Sequence, residues 1–255
     1  MSSFNIGWSA RFRSLEAFTT VGRIPPVAWF NTLRTLSLLA WLNVFLHVAG
    51  LALAAVGIRP GSPLVPLTER LSYLATWPAG WTCAWVAWIF CAVALIAFLA
   101  VLTHRVGEQG RLAQLGLMIV VAGAAFDLYC DSIYLLVFPM LAAWQPPAEA
   151  MFLTAERVTG IASLVIGNGF YSVGILLITL VLRERPEFGR LTIGVGYAVS
   201  GFGLLLAAAG FTGVAWHAAW ATLPTIGLFC LWVVLVARSL EPARSISGLP
   251  WPGSS

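Results

Sequence analysis

The chain has 255 residues, of which 60% are apolar types and only 9% are charged, against roughly 45–50% and about 25% in soluble domains. So few charges could not cover a soluble fold of this size, which excludes ordinary cytosolic globules, disordered chains and nucleic-acid modules. The formal charge of +4 is carried without any basic run interleaved with aromatics. The composition therefore reads as a multi-pass membrane protein whose surroundings are the lipid bilayer, with no nucleic-acid partner.

In chain order, residues 1–34 form a cytoplasmic N-terminal segment. It is not a cleaved signal peptide, because the apolar run begins only after Arg34 and then continues too long. Within it, residues 9–19 set Phe12, Leu15 and Phe18 beside Arg11 and Arg13. That spacing suits a short basic helix on the inner leaflet, with a flexible basic tail as the equal alternative. Residues 35–238 are expected to form a transmembrane domain of six helices. The spans run approximately over 35–58, 80–103, 112–138, 158–182, 191–213 and 215–237, each long enough for about 30 Å of hydrocarbon. The last two are divided only by an uncharged turn around Gly210–Gly213, so five spans plus a re-entrant segment is the competing arrangement. Residues 239–255, with Pro242, Pro250 and Pro252, read as a disordered cytoplasmic tail.

Two external segments are more than loops. Residues 67–77 can form an amphipathic helical turn resting on the outer surface, and residues 148–157 extend the fourth span outward behind Pro146 and Pro147. The recurrence of LTER at 67–70 and LTAER at 153–157 hints at a duplicated hairpin, but the companion match of RLAQLG with RLTIGV is poor and differently offset. With the N-terminus inside, eleven arginines fall on the cytoplasmic side and only Arg59, Arg70 and Arg157 on the other, so both termini are expected to be cytoplasmic in a cell membrane. Trp77, Trp81, Trp144, Trp216 and Trp220 are expected at the outer interface, and Trp29 and Trp232 at the inner one.

The census of reactive residues excludes several mechanisms. All 14 basic residues are arginine. Without lysine there is no Schiff-base amine and no phosphate-loop lysine, which removes a retinal pump, lysine-dependent aldol chemistry and a P-loop ATPase. Cys83, Cys91, Cys130 and Cys230 lie in apolar runs without a CxxC pair and read as small buried hydrophobes. His47, His104 and His217 fall at three different depths, so no bis-histidine haem pair forms. HExxH and GxSxG are absent. A metal on Asp127, Asp131 and one of His47 or His217 would rest on too few ligands, so neither a metal nor a cofactor is expected.

The informative residues are those expensive to bury in lipid. Asp127 and Asp131, in FDLYCDSIY, are four apart and share one helical face of the third span with Gly123. Counting back from residue 138 puts them roughly 16 Å and roughly 10 Å below the outer end. An aspartate at a helix centre costs about 2.5–3.5 kcal/mol, which a cation, a hydrogen bond, a bound proton or a water-filled cavity must offset. Asn168 and Tyr171 on the fourth span and His47 on the first reach similar depths, with Asn43 a turn deeper than His47. Glu156 and Arg157 lie above this layer, with Glu69, Arg70 and His217 as further candidates, so the polar groups form a funnel open to the outside. Small residues at 4-3-4-3 spacing on the fourth and fifth spans mark tight helix contacts. The stripe Trp77, Trp81, Trp85 and Trp88 on the second span faces lipid or a partner in the leading reading, and walls the funnel in the other.

The expected function is transport of a proton or small solute. Asp127 carries the proton, Asp131 and Glu156 attract cations, and His47, Asn168 and Tyr171 complete a hydrogen-bond relay, with Arg157 at the mouth. Two alternatives stand beside it: an accessory or structural subunit packed against other membrane subunits, and an intramembrane enzyme on a lipid or quinone with the Asp pair as general acid and base.

Overall fold

A long apolar run satisfies its backbone polar groups most readily within itself, and six such runs form six helices, each long and apolar enough to cross a membrane. The computed structural model describes residues 32–106, 111–144 and 148–240. The basic helix or tail expected over residues 9–19 and the tail expected beyond residue 240 lie outside them. Helix α1 is Thr32–Leu53, continued by a π-helical turn, Ala54–Ile58, and a 3-10 turn, Arg59–Gly61. The short α2, Leu67–Leu74, precedes α3, Ala79–Val106, and α4, Arg111–Ala143. Helix α5 runs over Ala148–Gly160, widens into a π-helical stretch over Ile161–Gly167 and resumes over Asn168–Arg183. Then come α6, Arg190–Thr212, and α7, Ala215–Ser239. The described residues contain no strand.

The fifth and sixth runs are two separate helices. Gly213, at φ 70°, takes the left-handed conformation that ends α6, which a glycine adopts without a Cβ clash. At 33 residues, α4 is about 50 Å long, so it exceeds the span expected from the sequence at its C-terminal end.

The six long helices pack in chain order, α1 on α3, α3 on α4, α4 on α5, α5 on α6 and α6 on α7, and α7 closes on α1. They form a ring. At one end Arg157 donates to the Phe211 carbonyl at 3.2 Å, and Arg59 and Arg70 lie at the same end; it is termed the arginine-poor end. At the other, Arg185 donates to the Val106 carbonyl at 2.6 Å and the Thr192 and Ser239 hydroxyls meet at 3.3 Å. Arg34, Arg105, Arg111, Arg183, Arg190 and Arg238 share that arginine-rich end.

Small residues set the closest seams. A Cβ added to Gly123 of α4 would stand 2.9 Å from the Gly167 carbonyl oxygen of α5, and one added to Gly174 would stand 2.6 Å from the Gly116 carbonyl oxygen. On α6, Gly196 faces Thr179 and Gly203 faces Ser172, both on α5. Both small-residue rows are therefore helix contacts in this fold.

The two halves of the ring differ inside. Toward the arginine-rich end, Leu36, Phe98, Leu99, Leu102, Ile178, Leu182 and Trp232 pack into one apolar core. Trp232 is fully buried there, 6.3 Å from Phe98 between ring centroids. Toward the arginine-poor end the interior holds two adjoining cavities. The tryptophan stripe also differs from its leading reading. Trp81 is 2% exposed and donates to the Tyr134 carbonyl at 2.9 Å, Trp85 and Trp88 face the interior, and Trp77 alone of the four is exposed. The physical reason is the position of α3, which is flanked by α1 and α4 and turns this face inward.

Candidate functional site

The inner cavity, about 240 Å3, is bounded by all six long helices. Of the seven residues the sequence singles out, His47, Asp127, Asp131, Asn168 and Tyr171 line it. Glu156 and Arg157 line the second cavity, about 420 Å3, nearer the arginine-poor end.

Asp127 owes its surroundings to the seam between α4 and α5. Gly123 lets the two backbones approach one turn earlier, and the Ser163 hydroxyl then donates to Asp127 Oδ1 at 2.5 Å. Ser163 sits in the π-helical stretch, where the Asn168 backbone N–H reaches back five residues to the Ser163 carbonyl. The Asn168 side-chain Nδ2 donates to the same carbonyl at 3.2 Å, and Ser172 donates to the Asn168 carbonyl at 2.6 Å. Asn168 therefore braces the wide turn that presents Ser163, instead of bonding Asp127 itself. Single π-helical turns of this kind recur at functional sites.

Asp131, one turn along α4, is 3% exposed, lines the cavity and has no hydrogen-bond or ion-pair partner among the described residues. One more polar group of the lining, the Trp85 Nε1, is buried without a partner among those residues, and the Tyr171 hydroxyl is turned to the Asp127 carboxyl group. Buried polar groups are nearly always bonded. Asp131 and the Trp85 Nε1 are thus two polar groups of one cavity wall left without a partner among the described residues.

His47 is held from two sides. Its Nδ1 lies 2.8 Å from the Asn43 carbonyl. Because a carbonyl only accepts, Nδ1 carries the hydrogen and Nε2 is the nitrogen left for the cavity. Its ring rests on Phe229 of α7 at 4.9 Å and meets Trp88 of α3 edge-on at 6.1 Å between centroids. Asn43, fully buried, donates to the Leu39 carbonyl at 2.8 Å and to the Ala94 carbonyl at 3.0 Å, pinning α1 to α3 beneath the histidine.

Trp85 and Leu164 line both cavities and form their shared wall. Tyr134 stacks on Trp85 at 4.3 Å with the rings 6° from parallel, on the side of the second cavity. Glu156 there has a partner of its own, accepting a hydrogen bond from buried Arg70 of α2. The Arg70 guanidinium also lies 5.3 Å from the Phe152 ring centroid, and its Nε donates to the Gly61 carbonyl at 3.4 Å. Tyr73 completes the docking of α2 by donating to the Gly57 carbonyl at 2.7 Å, within the π-helical turn of α1. Helix α2 is thus wedged into this end of the ring through a buried arginine, beyond the surface contact expected of an amphipathic turn. The two LTER-like segments meet across one interface, Arg70 of the first with Glu156 of the second.

Sequence reasoning gave no site role to Ser163, Phe229, Thr222 or Thr225, all of which line the inner cavity, and Trp88 lines it as in the second reading of the tryptophan stripe. Thr222 and Thr225, three apart in an otherwise apolar helix, carried a usable signal, as did Ser163 five residues before Asn168. Among the described residues no arginine lines the inner cavity, so it offers two carboxyl groups, five hydroxyls, the Asn168 amide, an imidazole nitrogen and aromatic faces. Among the described residues no group of three or more His, Cys, Asp or Glu is placed to hold a metal ion. No protein-family model, curated protein or solved structure matches the chain.

Proposed function

We propose that this is a multi-pass protein of a cell membrane, with its arginine-rich end in the cytoplasm, that carries a proton or a small solute through the inner cavity. The outward faces of the helices support insertion: Leu38, Phe45, Met118, Leu136 and Leu205 are exposed, as lipid-facing residues are. The arginine asymmetry supports the orientation, and the pairing of Arg70 with Glu156 removes one of the few free cations from the outer end.

The observation that carries the reading is Asp131. A carboxyl buried against a cavity with no protein partner among the described residues is the group best placed to take up a proton or a cation. Asp127, one turn away with Ser163 as donor, is the second station for that proton. His47 Nε2 and the Tyr171 hydroxyl line the same space and extend the relay. The apolar core beneath the cavity closes the cytoplasmic half, so this conformation is the one loaded from outside.

The test is proton uptake into liposomes holding a pH-sensitive dye, driven by a potassium-diffusion potential. Wild-type protein acidifies the lumen, and Asp131→Asn and Asp127→Asn fall to the leak of empty liposomes while eluting as folded monodisperse protein. Folded Asn variants that move protons at the wild-type rate would remove the proposal. Labelling by an impermeant maleimide of Glu187→Cys and Leu64→Cys, in intact cells, checks the orientation: only position 64 reacts.

A further inference from the structure

We infer that the inner cavity takes a small organic ammonium ion, bound between Asp131 and the tryptophans of α3. This deepens the transport reading and rests on the cavity being its solute site. The charge is the first reason. Among the described residues two carboxyl groups line the cavity and no arginine does, so its charged groups favour a cation over an anion. One ionised carboxylate balances the ligand's charge, and the second remains free to hold the transported proton. Asp131 has no hydrogen-bond partner among the described residues, so both its oxygens are open to a donor.

The walls are the second reason. Trp85, Trp88, Tyr171 and Phe229 surround the carboxyl groups with aromatic faces. Such faces attract a weakly hydrated organic cation. They cannot replace the six or so oxygens that a hard metal ion requires. The Trp85 Nε1, without a partner among the described residues, supplies a donor for one oxygen elsewhere on the ligand. Size is the third reason: about 240 Å3 is the liquid volume of roughly eight waters. An ammonium alcohol on the scale of choline fits these terms, whether as a free solute or as a lipid headgroup.

The protein is tested whole, in nanodiscs of phosphatidylglycerol, which brings no ammonium group. Choline and its uncharged isostere 3,3-dimethylbutan-1-ol are titrated by calorimetry and by tryptophan fluorescence. Choline saturates the site and the isostere binds about tenfold or more weakly. Asp131→Asn weakens choline by about tenfold to a hundredfold and leaves the isostere unchanged, and Trp88→Leu weakens choline as well. Repeating the titration in phosphatidylcholine nanodiscs separates the sources. Loss of choline binding there identifies the headgroup as the ligand, and unchanged binding identifies a free ammonium solute. Equal affinity for choline and the isostere overturns the inference, and that comparison needs no variant to fold. Asp-dependent proton uptake without choline binding removes the ammonium ligand and leaves transport standing. Choline binding without proton uptake does the reverse.

Discussion

Replacing Gly123 by alanine tests the seam on which the site is built. The added Cβ would lie 2.9 Å from the Gly167 carbonyl oxygen, 2.9 Å from Phe170 Cβ and 3.3 Å from the Tyr171 backbone nitrogen. Ordinary contact begins near 3.4 Å, so α4 and α5 must part by about half an ångström, and two of the three opposing atoms are backbone that cannot turn aside. Overpacking of this kind costs about 1–3 kcal/mol, which for a chain of this size lowers the midpoint of thermal unfolding by roughly 2–12 °C. The same displacement stretches the 2.5 Å bond from Ser163 to Asp127, so proton uptake should fall along with stability. Gly201→Ala is the control. Nothing lies within 4 Å of its added Cβ, and the change gains up to about 1 kcal/mol from helix propensity. The assay is thermal unfolding of detergent-purified protein followed by tryptophan fluorescence. Equal midpoints for the two variants would refute the close approach of α4 and α5.

The docking of α2 gives a second prediction. Arg70→Met strands Glu156 and costs about 3–5 kcal/mol, whereas Arg70→Met with Glu156→Leu recovers most of that loss; a double variant no more stable than the single would refute the buried pair. Access through the shared wall gives a third. In a variant with Cys83, Cys130 and Cys230 changed to alanine, Trp85→Ala should speed modification of Cys91 by a methanethiosulfonate ethylammonium reagent severalfold, because Cys91 lines the inner cavity behind that tryptophan. An unchanged rate, measured by mass spectrometry against time, would mean that solutes do not pass from the second cavity to the first.

The six helices were legible because membrane-length apolar runs punctuated by arginine admit little else, and the shared face of Asp127 and Asp131 followed from their spacing of four. Neighbourhood was not legible. Three spans placed His47, Asp127 and Asn168 at one depth, but chain order around a ring, with α3 between α1 and α4, is a property of packing that depth counting does not contain. The tryptophan stripe misled for a related reason: in an apolar helix an indole is stable on either face, and only its neighbours decide which one. Ser163 read as a packing residue because the π-helical turn that aims it at Asp127 leaves no mark in composition. Glu156 read as a free carboxylate that attracts cations because its partner, Arg70, lies 86 residues away on a helix of eight residues.

The way the ring closes has a mechanical consequence. Five of its six joints are tied by connecting segments of the chain, but α1 and α7 are held together by side chains alone. Parting them stretches no loop, and the pair that must separate there includes His47 and Phe229, which both wall the inner cavity. The untethered joint is therefore the one seam at which the ring can part without stretching a connecting segment, on the side that His47 and Phe229 wall.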